Sequence, residues 1–145
     1  MREIKFRLRY DNAIVGYEKW YRGSYDGDFC NAKPQWLYSE DGEYWNPDYI
    51  SHRHKDEFTG LKDKNGKEIY EGDVVCTFFT GGPKVDEVYK KAEVKWGVYN
   101  VGVNGGEYDM KVVGPYIEDE YLYGEMIDGN STILGNIYEN PELLK

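Results

Sequence analysis

Residues 58–75 read FTGLKDKNGKEIYEGDVV, and the way their charges pair decides what can surround them. A two-residue turn at Asn65-Gly66 would set Asp63 against Glu68 and Lys64 against Lys67, two repulsive pairs. A three-residue loop, Lys64-Asn65-Gly66, with Gly66 in a left-handed bulge, moves the register by one. Asp63 then faces Lys67, Lys62 faces Glu68 and Leu61 faces Ile69. Each matched cross-strand pair contributes roughly 0.2–1 kcal/mol, so charge selects the three-residue loop. Gly72 permits a second reversal before an apolar run starts at Val74. The stretch is a hairpin followed by a buried strand, with its charges spent on local pairing. A P-loop needs Gly-Lys-Ser/Thr, which is absent. Lys64 and Lys67 oppose a calcium loop, and no distal glutamate stands at the required spacing.

Outward from this hairpin the pattern stays strand-like. Near the start, Ile4, Phe6, Leu8 and Tyr10 alternate with Lys5, Arg7 and Arg9, which predicts a half-buried strand with a basic outer face. Asp11-Asn12 marks a turn into a second strand over 13–21. Val74, Cys76 and Phe78 on one side, with Val75 and Phe79 on the other, predict a central strand buried on both faces. Cys76 reads as a small core residue. A short helix can precede a strand at 91–96. Further strands are expected at 98–103, 110–113, 116–123 and 131–138. Asn140, Pro141 and Glu142 signal one terminal helical turn, with Leu143 and Leu144 packing down. Residues 22–57 are broken by Gly23, Gly27, Pro34, Gly42 and Pro47, and read as a loop-rich insertion with one or two short strands.

Composition supports the same class. Fifteen Tyr, four Trp and five Phe carry much of the apolar content, and 17 Gly punctuate 145 residues. That balance suits strands joined by tight turns. The expected fold is mainly β: a single domain over 1–145, built as a compact, highly curved sheet or small barrel with an aromatic insertion. Net charge is −9. Arg2, Lys5, Arg7, Arg9, Lys19 and Arg22 make the beginning basic, and acids dominate from Glu107 onward. Acidity of this size argues against duplex DNA and anionic membrane as partners, since both need a cationic face. The basic strand face could meet the acidic C-terminal region of a neighbour, so a homo-oligomer is expected. Two cysteines are too few for a disulfide framework. The first residues show no apolar leader, and no run is long enough to cross a bilayer, so a cytoplasmic setting is expected.

TGLKDKNGKEIYEGDVV, together with the opening REIKFRLRYDN and the terminal LGNIYENPELL, resembles the YopX family of phage and prophage proteins. Arg9 departs from that pattern, where an aromatic or small residue fits better. The resemblance implies a β-dominated fold and a phage or prophage gene acting in a bacterial cytoplasm. It brings no catalytic residues and no cofactor. The motif residues Gly60, Asn65, Gly66, Ile69, Tyr70, Gly72 and Asp73 read as structural.

Several constellations have the residue types of a site. His52 and His54 share a face on an extended segment, but Arg53 and Lys55 oppose a cation there, so no metal is expected. The aromatics of this region, Tyr49 included, read first as a small core under the loop-rich insertion and second as an interface, for which Trp36, Tyr38, Tyr44 and Trp45 are the candidates. Neighbouring Asp41, Glu43 and Asp48 add the option of stacking on sugars or bases. Glu118-Asp119-Glu120, with Glu125 and Asp128, read as a solvated acidic face. The leading expectation is a noncatalytic accessory protein that binds a host or phage protein. The alternative is an acidic nucleic-acid mimic aimed at a DNA- or RNA-binding protein. An uncharacterised enzyme comes third.

Overall fold

The computed structural model describes residues 3–26, 30–79, 88–103, 108–118, 124–126 and 131–144. They form strands throughout, with one 3-10 turn at Pro141–Leu144. The mainly β class is therefore correct. Among the described residues the sheets are not closed, so the barrel alternative is not confirmed. The chain groups into two compact units, residues 1–58 and 59–145.

The first unit holds β1 (Lys5–Tyr10), β2 (Ala13–Tyr21), β3 (Ser24–Asp26), β4 (Cys30–Ala32), β5 (Gln35–Ser39) and the early part of β6 (His54–Lys62). Its main sheet runs β5-β2-β1-β6, all antiparallel, and β3 pairs with β4 apart from it. The segment 22–57 thus carries more strand than its glycines and prolines suggest, because β5 gains a partner in β2. Asp11-Asn12 forms the two-residue turn between β1 and β2, with Asp11 at φ 55°.

β1 corrects the sequence reading. Its basic side is not an outer face: Lys5, Arg7 and Arg9 are all buried, while Ile4 and Tyr10 at the strand ends are exposed. The cause is position in the sheet. β1 lies between β2 and β6, and Arg7 stands directly opposite Asp56. Side chains two residues apart share a face, so Arg9 reaches the same carboxylate. Arg7 Nε donates to Asp56 Oδ2 at 3.0 Å, and Arg9 Nε reaches both carboxylate oxygens at 3.0 Å. Arg9 Nη1 also donates to the Asp11 carbonyl at 3.0 Å. Lys5 lies over the rings of Trp45 and Phe58, at 5.7 and 5.2 Å. A basic face offered to a neighbouring copy is therefore absent from β1.

The second unit continues β6 from Thr59 and adds β7 (Glu68–Tyr70), β8 (Asp73–Phe79), β9 (Val88–Glu93), β10 (Lys95–Val103), β11 (Tyr108–Glu118), β12 (Gly124–Met126) and β13 (Thr132–Asn136). β8 is central in the order β13-β8-β9, as its two apolar faces require, and β10-β11-β12 form another sheet. Ile69, Val75, Ala92, Val94 and Ile117 make the core, with Ile133 packed against it. Cys76 is only half-buried. The expected strand over 91–96 breaks at Val94, which leaves the ladder to bond the turn at Gly72-Asp73: its N–H donates to the Asp73 carbonyl and its carbonyl accepts from Gly72, both at 2.8 Å. Residues 110–113 and 116–118, expected in separate strands, belong to one, β11, which runs through Gly114 and Pro115, and residues 119–123 of the second expected strand lie outside the described residues. The helix expected before residue 91 falls largely outside the described residues, and Val88–Lys90 is strand. At the end, the Asn140 side chain turns back to accept from Asn136 N at 3.4 Å, and Leu144 is exposed rather than packed.

Candidate functional site

The hairpin motif is built around two aspartates. Asp63 N donates to the Lys67 carbonyl at 2.8 Å, which spans a Lys64-Asn65-Gly66 loop, and Gly66 sits at φ 83°. The loop and its register are those that charge pairing selects, but Asp63 itself is not spent on a lysine. It is buried, and its carboxylate accepts the backbone N–H groups of Asn65 and Lys67 at 2.9 Å and of Ile133 at 3.2 Å. Burial alone would raise its pKa; the three amides and the nearby Lys67 charge outweigh this and hold it below the usual carboxylate range. Asp73 does similar work one turn later: its carboxylate accepts Tyr70 N at 2.8 Å. Gly60 and Gly72 take φ 85° and 88°, and Ile69, Tyr70 and Asp73 are buried.

The candidate interface residues divide. Cross-strand pairs share a sheet face. Phe6 opposite Glu18 and Trp20 opposite Trp36 define one face of the main sheet of the first unit. There Trp36 packs on Trp20 at 5.2 Å and on Phe6 at 6.3 Å, and Lys55 lies over both Phe6 and Trp36. Lys55 also ion-pairs with the buried Glu18. Trp45 serves the opposite face, under Lys19 at 4.3 Å and Lys5 at 5.7 Å. Both tryptophans thus cover charge within the unit.

Tyr38 and Tyr44 go elsewhere, to a cleft of about 300 Å³ formed by residues 38–50. Its frame is a loop closed by paired backbone bonds between Tyr38 and Asn46, at 2.7 and 3.0 Å. Inside the loop one oxygen of Asp41 accepts from the Ser39 hydroxyl, Glu43 N and Tyr44 N at 2.8–2.9 Å. These bonds hold the Asp41 carboxyl below its ordinary pKa. Gly16 on β2 lets the segment approach, since a Cβ there would stand 2.6 Å from the Ser39 carbonyl and 2.7 Å from Ile50 Cδ1. The Tyr38 phenol forms part of the lining. Burial first, then the charge and hydrogen bond of Glu18, push its pKa up to about 12, so it stays protonated. Tyr49 stands edge-on to Tyr38 at 5.3 Å and leans on His52 at 5.5 Å.

Tyr44 and Tyr49 are 76% and 66% exposed. Glu40 and Asp48 are exposed beside them, and their carboxylates take part in no hydrogen bond or ion pair with the described residues. Among the described residues no lysine, arginine or histidine lines the cleft. Sequence reasoning counted Tyr49 only in the wider aromatic cluster and missed Glu40; the aromatic and acidic crowding of 38–50 was the available signal. His52 Nδ1 is bonded to the Ile50 carbonyl at 2.7 Å and His54 begins β6. Among the described residues no three His, Cys, Asp or Glu converge as a metal site. The side chains of Glu118-Asp119-Glu120, Glu125 and Asp128 lie outside the described residues. No helix among the described residues is long and apolar enough to cross a membrane.

The described residues are those of a β protein with a tight hairpin motif and an exposed aromatic–acidic cleft. The family described as YopX protein matches residues 31–145, so the chain belongs to the YopX family. No curated protein matches it.

Proposed function

We propose that this chain is a noncatalytic phage-type accessory protein that binds another protein, of host or phage origin, through the 38–50 cleft. The observation that carries this reading is the exposure of Tyr44 and Tyr49 on a loop held by its own hydrogen bonds. Tyrosine offers large amphipathic contact area with few torsions to freeze, which is why such rings concentrate in binding surfaces. A loop already braced by Asp41 and the Tyr38–Asn46 bridge lowers the ordering cost of association. Affinity capture from bacterial lysate, with and without nuclease, compares the wild type with a Tyr44→Ala/Tyr49→Ala variant. A protein retained by the wild type, lost by the variant and indifferent to nuclease is the expected result. Retention unaffected by the double substitution rules the cleft out.

Direct binding to duplex DNA does not belong to this reading. Affinity for DNA rests on neutralising phosphates with Lys and Arg, and Lys5, Arg7 and Arg9 are buried. Fluorescence anisotropy with a labelled duplex at moderate and raised salt is expected to show no saturable submicromolar binding.

A further inference from the structure

The geometry points to the chemistry of the partner: we propose that the 38–50 cleft receives an arginine side chain of the bound protein. This rests on the docking reading above. Three acidic residues line the cleft, Glu40, Asp41 and Asp48, with no basic residue among the described lining. Asp41 is used by the loop's own amides through one oxygen. Glu40 and Asp48 have no such commitment among the described residues and remain exposed beside the rings of Tyr44 and Tyr49. A cation is therefore the complementary charge.

Arginine fits better than lysine for a stated reason. A guanidinium is planar, weakly hydrated and fork-shaped, so one group can lie on a tyrosine face and donate to a carboxylate at once. An ammonium is compact and strongly hydrated, and gives up more to leave water. Elsewhere in the first unit the same pairing occurs within the chain: Arg53 lies over the Tyr10 ring at 4.7 Å and its Nη1 is 3.6 Å from Asp11 Oδ1. The cleft presents rings and carboxylates of the same kinds with the cation left to be supplied.

The test uses the full chain, isotope-labelled, titrated with a capped Gly-Arg-Gly peptide and followed through backbone amide resonances. The Lys and Gln counterparts of the peptide serve as controls. Saturable shifts confined to residues 38–50 are expected. The lysine peptide is expected to bind roughly fivefold more weakly, and the glutamine peptide not to register. A Glu40→Gln/Asp48→Asn variant removes two exposed charges without touching a bond of the fold, and is expected to weaken the arginine peptide severalfold. Equal binding of the lysine and arginine peptides overturns the proposal, as does unchanged binding by the double variant. If lysate capture depends on Tyr44 and Tyr49 but the arginine peptide moves no amide in the loop, the docking surface stands and its arginine assignment falls.

Discussion

Asp56 and Asp63 lie seven positions apart, one on β6 and one just past its end, and both are buried. Their surroundings differ in kind. Asp56 is neutralised by two full charges, Arg7 and Arg9, from a strand 47–49 residues earlier. Asp63 carries its charge among backbone dipoles, two from its own loop and one from Ile133. The first arrangement confines three charged groups, with one carboxylate serving both guanidinium groups. The second turns a single carboxylate into the organiser of a loop, at no cost in buried cations. The two aspartates therefore bury their charge in different ways, Asp56 by long-range ion pairing and Asp63 by mostly local backbone hydrogen bonds.

The largest expected effect comes from breaking the charged solution. Asp56→Ala leaves two buried guanidinium groups without their carboxylate, and should cost about 4 kcal/mol in urea unfolding at neutral pH. A loss below about 1 kcal/mol would mean that water reaches both arginines and that the contrast between the two sites is false.

Breaking the dipolar solution should cost less. Asp63→Ala strips an acceptor from three N–H groups and is expected to lose about 2–3 kcal/mol. Its pH dependence sharpens the contrast. Folding lowers the Asp63 pKa, so the ionised form is the one the fold favours. Its stabilisation is full above the ordinary carboxylate range, about pH 4, and is lost as pH falls through the lower folded value. Acid titrations should show this component in the wild type and lack it in Asp63→Asn.

Gly66→Ala probes the conformation that Asp63 braces. A Cβ at Gly66 meets nothing within 4 Å, so only its φ of 83° opposes the change. About 1 kcal/mol is expected from thermal or urea unfolding. A much larger loss would show that the loop packs against something else. The smallest effect belongs to Lys67→Gln. Lys67 supplies its amide and carbonyl to the loop, while its side chain is exposed. Removing that charge should change stability by less than about 0.5 kcal/mol. A larger loss would place Asp63 with Asp56 as a charge-paired site.

The amino-acid sequence by itself determined the mainly β class, the three-residue loop at Lys64-Asn65-Gly66, the central place of β8 and the family. These rest on local quantities: alternation along one strand, the turn chemistry of glycine and asparagine, and charges a few residues apart. Tertiary structure alone decided the rest. Whether Lys5, Arg7 and Arg9 face water depends on Asp56 and Trp45, which arrive from distant segments and cover a face that alternation alone assigns to solvent. Trp36, Tyr38, Tyr44 and Trp45 look alike in sequence, but long-range contacts set the two tryptophans beside lysines and the two tyrosines in the lining of the cleft. A side chain's type states what it can bind. Which partner it meets is set by strand order and register, and those depend on contacts between residues far apart in the chain.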